Sequence, residues 1–96
     1  MSAREVSVVS RKDASGWTCM VQVSESNGQT RHNVTVSQRD FEQLTAGKSI
    51  TPEQLVKRSF EFLLEREPKE SILRQFNLLV ISRYFPEFLS EIRKKL

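Results

Sequence analysis

Apolar and polar residues alternate through three stretches of the first 36 residues, and this period-two pattern predicts half-buried β-strands. The three stretches are residues 6–9, 17–23 and 30–36. We therefore expect an antiparallel meander with one apolar face turned towards a core. The other face is expected to be largely polar and to carry Ser7, Gln22, Arg31, Asn33 and Thr35.

The connection between the second and third stretches contains Asn27-Gly28. Both residues tolerate positive φ, so the pair is a strong signal for a two-residue hairpin turn. A turn at this pair places Val23 opposite His32 and Val21 opposite Val34. The apolar residues of both strands then share one face, so turn chemistry and hydrophobic pattern predict the same register.

The pattern changes to a helical period in residues 51–66, the most strongly specified helix of the chain. Thr51 and Gln54 match a capping box, and Pro52 suits the first helical position. At roughly 100° per residue, the apolar side chains span an arc of about 200°, wider than the stripe of an ordinary surface helix. These side chains are Leu55, Val56, Phe60, Phe62, Leu63 and Leu64. So wide an apolar face must be covered on two sides.

Shorter helices are predicted before and after this central helix. Ser37 can cap a helix over residues 37–45, and Gly47 suits the left-handed position just after its end. Pro68 ends the central helix and can begin another over residues 68–76. The inward-pointing residues of that helix are expected to be Ile72, Leu73 and Phe76.

Apolar side chains repeat at helical spacing through the C-terminal residues, although Pro86 interrupts the repeat. We expect a kink or a new helix at this proline. The resulting apolar strip is long for a domain with a small sheet, so it either completes the core or contacts a partner. The candidate partner contacts are Tyr84, Phe85, Phe88, Leu89 and Ile92.

Together these elements predict an α+β fold. A three-stranded antiparallel meander is covered on one face by the central helix and followed by short C-terminal helices. A length of 96 residues and an apolar content of 38% suit one domain with one modest core. We expect residues 1–96 to form that domain, with the meander in residues 1–36 and the helical half in residues 37–96.

The chain is mildly basic, with a net charge of +3 and a pI near 9.4. Acidic residues are interleaved with the basic ones in both halves, which is typical of a mixed polar surface. A helix-turn-helix in residues 69–85 is disfavoured, because Arg83 and Pro86 fall where the recognition helix needs buried apolar residues. If folding gathers the scattered cations, a nucleic-acid site is the alternative prediction. These cations are Arg31, Arg39, Lys57, Arg58, Arg74 and Arg83.

No residue set has the pattern of a catalytic, cofactor-binding or metal site. Cys19 and His32 are the only residues of their kinds, and they fall at opposite ends of the paired strands, so neither has the partner that nucleophilic or general-base chemistry requires. Cys19 is expected in the core, and His32 at the partly exposed end of the apolar face. An acidic cluster interleaved with cations is expected to form a solvated ion-pair face. The cluster comprises Glu61, Glu65, Glu67 and Glu70.

The segments SFEFLLEREPKESIL and VISRYFPEF, together with the strand TRHNVTV at residues 30–36, resemble a family of small, uncharacterised bacterial proteins of about this length. The resemblance covers nearly the whole chain and implies a small bacterial cytoplasmic protein. The family has no established function, so it implies no cofactor, ligand or catalytic residue. Relatives tend to have proline where this chain has Leu79, which blurs the start of the helix there.

The single cysteine excludes an intrachain disulfide, and the sequence shows neither a signal peptide nor the roughly 18 apolar residues of a membrane span. These features agree with a cytoplasmic protein without membrane contact. We therefore favour a non-enzymatic interaction or adaptor module that needs no cofactor, with an unknown protein or a second copy of the chain as partner. Association with nucleic acid is the alternative, and an enzyme is the third hypothesis.

Overall fold

A four-stranded sheet forms one layer of the domain and helices form the other, so the predicted α+β class is confirmed. The structure is a computed structural model that describes residues 4–96. Its strands are β1 (Glu5–Lys12), β2 (Gly16–Glu25), β3 (Gly28–Ser37) and β4 (Gln75–Asn77). Its helices are α1 (Gln38–Thr45), α2 (Pro52–Leu64), α3 (Ile81–Tyr84) and α4 (Phe88–Lys95), and 3-10 turns occupy Lys69–Ser71 and Leu78–Val80.

The strands lie in the order β1-β2-β3-β4, with β1, β2 and β3 antiparallel and β4 parallel to β3. The predicted meander is present, but the prediction omitted the fourth strand. The helix predicted over residues 68–76 is wrong, since only Lys69–Ser71 turns there. Ile72 already has extended backbone (φ −76°, ψ 134°), and the chain continues until Phe76 pairs with Val34.

The β2–β3 hairpin turns at residues 26–27, so the predicted turn at residues 27–28 is wrong by one residue. His32 consequently lies opposite Val21 instead of Val23, a register shift of two residues. A shift of two preserves the direction of every side chain, so the buried face is the predicted one. Positive φ is confined to Gly28 in this turn, at 133°.

The central helix α2 begins as predicted. The Thr51 hydroxyl accepts a hydrogen bond from the Gln54 N–H at 3.2 Å, and the Gln54 side chain accepts one from the Thr51 N–H at 3.0 Å. This reciprocal pairing is a capping box, and Pro52 lies inside it, in the first turn of the helix.

Both sides of the wide apolar face of α2 are covered, as predicted. All six residues of the arc are buried. Phe60 faces the sheet, with its ring centroid 6.1 Å from that of Phe76. Phe62 faces the C-terminal helices, with its centroid 5.2 Å from that of Phe88. The core therefore lies between the sheet and α4, with α2 at its centre.

Helix α1 begins at a side-chain cap, and a proline lies between α3 and α4. The Ser37 hydroxyl accepts a hydrogen bond from the Asp40 N–H at 3.1 Å and caps α1 as predicted. The left-handed residue directly after α1 is Ala46 (φ 50°), and Gly47 (φ 80°) follows it. Pro86 falls in the break between α3 and α4, so the chain begins a new helix after this proline instead of bending one.

No described element covers the second face of the sheet. It is largely polar, as predicted, and carries Ser7, Gln22, Arg31, Asn33 and Thr35. Two apolar side chains also lie there: Val9 is 69% exposed and Met20 is 53% exposed, and the two residues pair across β1 and β2.

Candidate functional site

A half-open groove of about 150 Å³ lies where the end of α2, the approach to β4, and α3 meet. Its rim carries two of the most exposed large apolar side chains, Leu73 at 47% and Tyr84 at 67%. Glu67 is its one charged lining residue. The buried floor is formed by Leu63, Ile72, Phe76 and Ile81.

The groove exists because α2 ends abruptly. Pro68 cannot continue a helix, and the last turn tightens so that the N–H groups of Arg66 and Glu67 both donate to the Leu63 carbonyl at 2.9 Å. After the 3-10 turn at Lys69–Ser71, the chain leads in extended form from Ile72 to β4. The helix and the extended segment pack side by side and leave the groove between them, and α3 closes one end of the groove.

Lys69, in the 3-10 turn, anchors the chain just before this extended segment. The side chain is only 2% exposed, and its ammonium donates to Glu25 at 2.8 Å, to Asn27 at 3.1 Å and to Glu70 at 2.7 Å. Three donors thus meet three acceptors, so the buried charge is fully satisfied. The hydrogen bond to Glu25 leads the contacts that raise the pKa of Lys69, and bonding to Lys69 lowers the pKa values of Glu25 and Glu70.

His32 anchors the segment further along. Its Nδ1 lies 2.8 Å from the Leu73 carbonyl, which can only accept, so Nδ1 carries the hydrogen and donates. Nε2 then accepts from the Thr30 hydroxyl at 2.8 Å. Burial lowers the pKa of His32, which keeps the ring neutral at pH 7.

The prediction that His32 is partly exposed is wrong, because the side chain is 2% exposed. The register shift moves this residue one pair further from the turn and brings its ring to 5.2 Å from that of Phe60. His32 on β3 and Lys69 in the link after α2 are both buried. Their hydrogen bonds therefore hold in place the wall of the groove that carries Leu73.

Glu67 differs from the other acidic residues near it. Glu61, Glu65 and Glu70 each lie within 3.4 Å of a cation, in agreement with the predicted ion-pair face. Within residues 4–96, the Glu67 carboxylate has neither an ion pair nor a hydrogen bond. Burial raises its pKa, with no contribution from a neighbouring charge. A partly desolvated carboxylate without a cation thus borders an apolar groove.

The predicted partner strip divides into two sets. Phe88 and Ile92 are fully buried, so neither can contact a partner, and that part of the prediction is wrong. The reason is that α4 packs on α2, where these two side chains complete the core. Tyr84 and Phe85 line the groove, while Leu89 is 40% exposed outside it.

The predicted cations do not form one surface. Arg31 lies on the uncovered face of the sheet, whereas Lys57 and Arg58 lie on α2, which covers the opposite face. Arg58 is moreover 3.4 Å from Glu61. Arg39 lies on α1, Arg74 precedes β4, and Arg83 lies on α3.

Cys19 is a core residue, as predicted. Its side chain is fully buried, and burial, with a smaller contribution from Glu53, raises its pKa to about 11, so the thiol is protonated and shielded. Residues 4–96 contain no group of three or more histidine, cysteine, aspartate or glutamate side chains that could hold a metal ion. No helix in this part of the chain is long and apolar enough to cross a membrane.

No family model, curated protein or solved structure matches the chain. The resemblance to small bacterial proteins therefore stays a prediction.

Sequence reasoning missed Glu67 and Leu73 as groove residues. It placed Leu73 on the buried side of a helix that does not form, and it grouped Glu67 with the paired acids. One signal was available. A residue directly before proline is biased away from helical geometry, so Pro68 predicts that Glu67 leaves the polar face of α2.

Proposed function

We propose that the domain is a non-enzymatic binding module whose groove receives a short segment of a partner protein. The segment carries one apolar side chain next to a lysine or arginine. The observation behind this proposal is the combination, in one groove, of an apolar floor and a carboxylate without a cation.

The size and lining of the groove suit one side chain. A cavity of about 150 Å³ can hold a benzene-sized group. Leucine, isoleucine, methionine or phenylalanine could therefore fill it, while Leu73 and Tyr84 would lose their exposure to water. Removing apolar surface from water is the main source of affinity in such contacts.

The groove wall is held in place before any ligand binds. Lys69 fixes the 3-10 turn that precedes the extended segment, and His32 binds the Leu73 carbonyl within that segment. A preformed site does not need to be ordered on binding, so less of the interaction energy is lost.

Charge favours a basic neighbour to the apolar side chain. A lysine or arginine of the partner would give Glu67 the ion pair that it lacks within residues 4–96. A charge-assisted hydrogen bond in a partly desolvated site contributes about 1.5–3 kcal/mol, which corresponds to roughly 10- to 150-fold in affinity.

The test is selection of phage-displayed random heptapeptides on the immobilised domain, followed by affinity measurement with the selected synthetic peptides. We expect the selected peptides to place an aliphatic or aromatic residue beside lysine or arginine. Glu67→Gln should weaken their binding by roughly 10- to 150-fold, because it keeps the shape but removes the charge. Tyr84→Ala should weaken binding as well.

Two matched variants serve as controls. Glu42→Gln removes an exposed charge on α1, and Leu89→Ala removes an exposed apolar side chain outside the groove. Both should bind like the wild type. The proposal fails if no peptide is selected, if the selected peptides lack a cation, or if Glu67→Gln binds them unchanged.

A further inference from the structure

Strand β1 lies at one edge of the sheet and pairs only with β2 among residues 4–96. It is eight residues long, contains neither proline nor glycine, and pairs with β2 in one unbroken register. Long, regular edges of this kind are ready to pair with another strand, since their backbone donors and acceptors are unused.

The backbone groups that face the free edge can be identified. Hydrogen-bonded and non-bonded pairs alternate along an antiparallel ladder. The Asp13 N–H donates to the Gly16 carbonyl at 2.8 Å, which makes that pair a bonded one. Because bonded pairs recur at every second residue, the backbone groups of the odd-numbered residues of β1 bond to β2. The residues that face the free edge are Val6, Val8, Ser10 and Lys12.

We propose that β1 pairs with β1 of a second copy of this chain, antiparallel and around a two-fold axis at Val8. The four strands of each copy then join into one continuous eight-stranded sheet. The bonded pairs at the junction are Val8 with Val8 and Val6 with Ser10, in both directions.

Charge complementarity selects a second copy as the occupant. In the register centred on Val8, Glu5 of each copy lies opposite Arg11 of the other, on the uncovered face of the sheet. Both residues are exposed, and neither has an ion pair within residues 4–96. The two-fold axis repeats the pair, so one interface contains two complementary contacts.

The neighbouring registers lack this complementarity. Centring the axis on Val9 places Glu5 opposite Asp13, which is repulsive. Centring it on Ser7 places Glu5 opposite Val9 and leaves Arg11 without a partner. Of these three registers, only the one centred on Val8 pairs opposite charges.

The strand is packed on the rest of the domain without a second copy. Helix α2 packs beneath β1, and the Ser10 hydroxyl donates to the Glu53 carboxylate at the start of that helix. Because the axis runs perpendicular to the sheet, the helices of both copies lie on one side and the two open faces form one surface.

Charge reversal tests both the dimer and its register. Sedimentation equilibrium of the wild-type protein should show a dimer. Glu5→Arg and Arg11→Glu should each weaken the dimer roughly tenfold or more, since each change replaces two attractions with two repulsions. Mixing the two variants in equal amounts should restore dimers of wild-type affinity, because each copy then presents the charges that its partner lacks.

Arg31→Glu is the matched control, since it reverses an exposed cation on the same face but on β3. It should leave the dimer intact, and circular dichroism of all variants should show that they are folded. A monomeric wild type at millimolar concentration overturns the proposal. So does a dimer that either reversal leaves unchanged, or a mixture of the variants that stays monomeric.

Discussion

Replacing Phe60 with alanine removes the ring that joins α2 to the sheet. Phe60 is fully buried, and its ring contacts those of His32 and Phe76 with centroid distances of 5.2 and 6.1 Å. Truncating a buried phenylalanine costs about 3–5 kcal/mol. Each aromatic contact adds about 0.5–1.5 kcal/mol beyond its buried area, so the upper part of that range is expected.

This loss is large for a domain of 96 residues, whose total stability should be about 5–14 kcal/mol. The variant should therefore fold only marginally. Urea unfolding followed by fluorescence measures the change, because Trp17 is the only tryptophan and packs on Phe41 with a centroid distance of 4.9 Å. The midpoint should fall while the slope with denaturant stays constant.

Phe60→Leu is the control for this experiment. It keeps most of the apolar volume but removes both ring contacts, so it should cost about 1–3 kcal/mol, less than Phe60→Ala. A loss below about 1 kcal/mol for Phe60→Ala would refute the placement of this ring at the centre of the core.

Three further predictions concern single residues. Gly16→Ala should cost about 1–3 kcal/mol or more, because the added Cβ would lie 2.2 Å from the Val36 carbonyl oxygen, and a wild-type urea midpoint would contradict this. The folded pKa of His32 is lowered below its ordinary value, so the unfolded chain binds the proton more readily. The contribution of His32 to the free energy of unfolding is complete above pH ~6.5 and is lost as the pH falls below that value. Urea midpoints between pH ~7.5 and ~5.5 should therefore decline more steeply in the wild type than in His32→Gln, and equal slopes would contradict the assignment. Cys19 should react with a thiol reagent only when the protein unfolds, since it is buried and its pKa is raised to about 11; immediate labelling of the folded protein would be inconsistent with that burial.

The three-stranded meander and α2 could be predicted because local chemistry and packing agree there. The Thr51–Gln54 capping box and the apolar arc of α2 are both encoded in neighbouring residues. The hairpin register could not be predicted fully, because a distant residue takes part in the turn. Lys69 binds the Asn27 side chain from 42 positions away, and no local rule contains that contact.

Strand β4 and the groove could not be predicted from the sequence, for a related reason. The apolar spacing of Ile72 and Phe76 fits a helix as well as an extended segment, since both place these two residues on one side. The hydrogen bonds that favour the extended form come from residues distant in sequence. The backbone carbonyl of Arg74 accepts from the Asn33 N–H at 2.7 Å, and the backbone carbonyl of Leu73 accepts from the His32 ring. Tertiary contacts decided the local structure here, and the groove depends on that outcome.

The parallel pairing of β4 with β3 also has a consequence for the order of folding. Asn77 and Thr35 meet across 42 positions of chain, whereas the meander is built from neighbouring hairpins. Closing the longer loop is slower, so we expect β1, β2 and β3 to assemble before β4 docks. Pulsed hydrogen exchange during refolding should protect the meander first, and simultaneous protection of Phe76 would argue against this order. On a ribosome the meander would then emerge with both edges open, and the groove would be completed only when the last third of the chain had been synthesised.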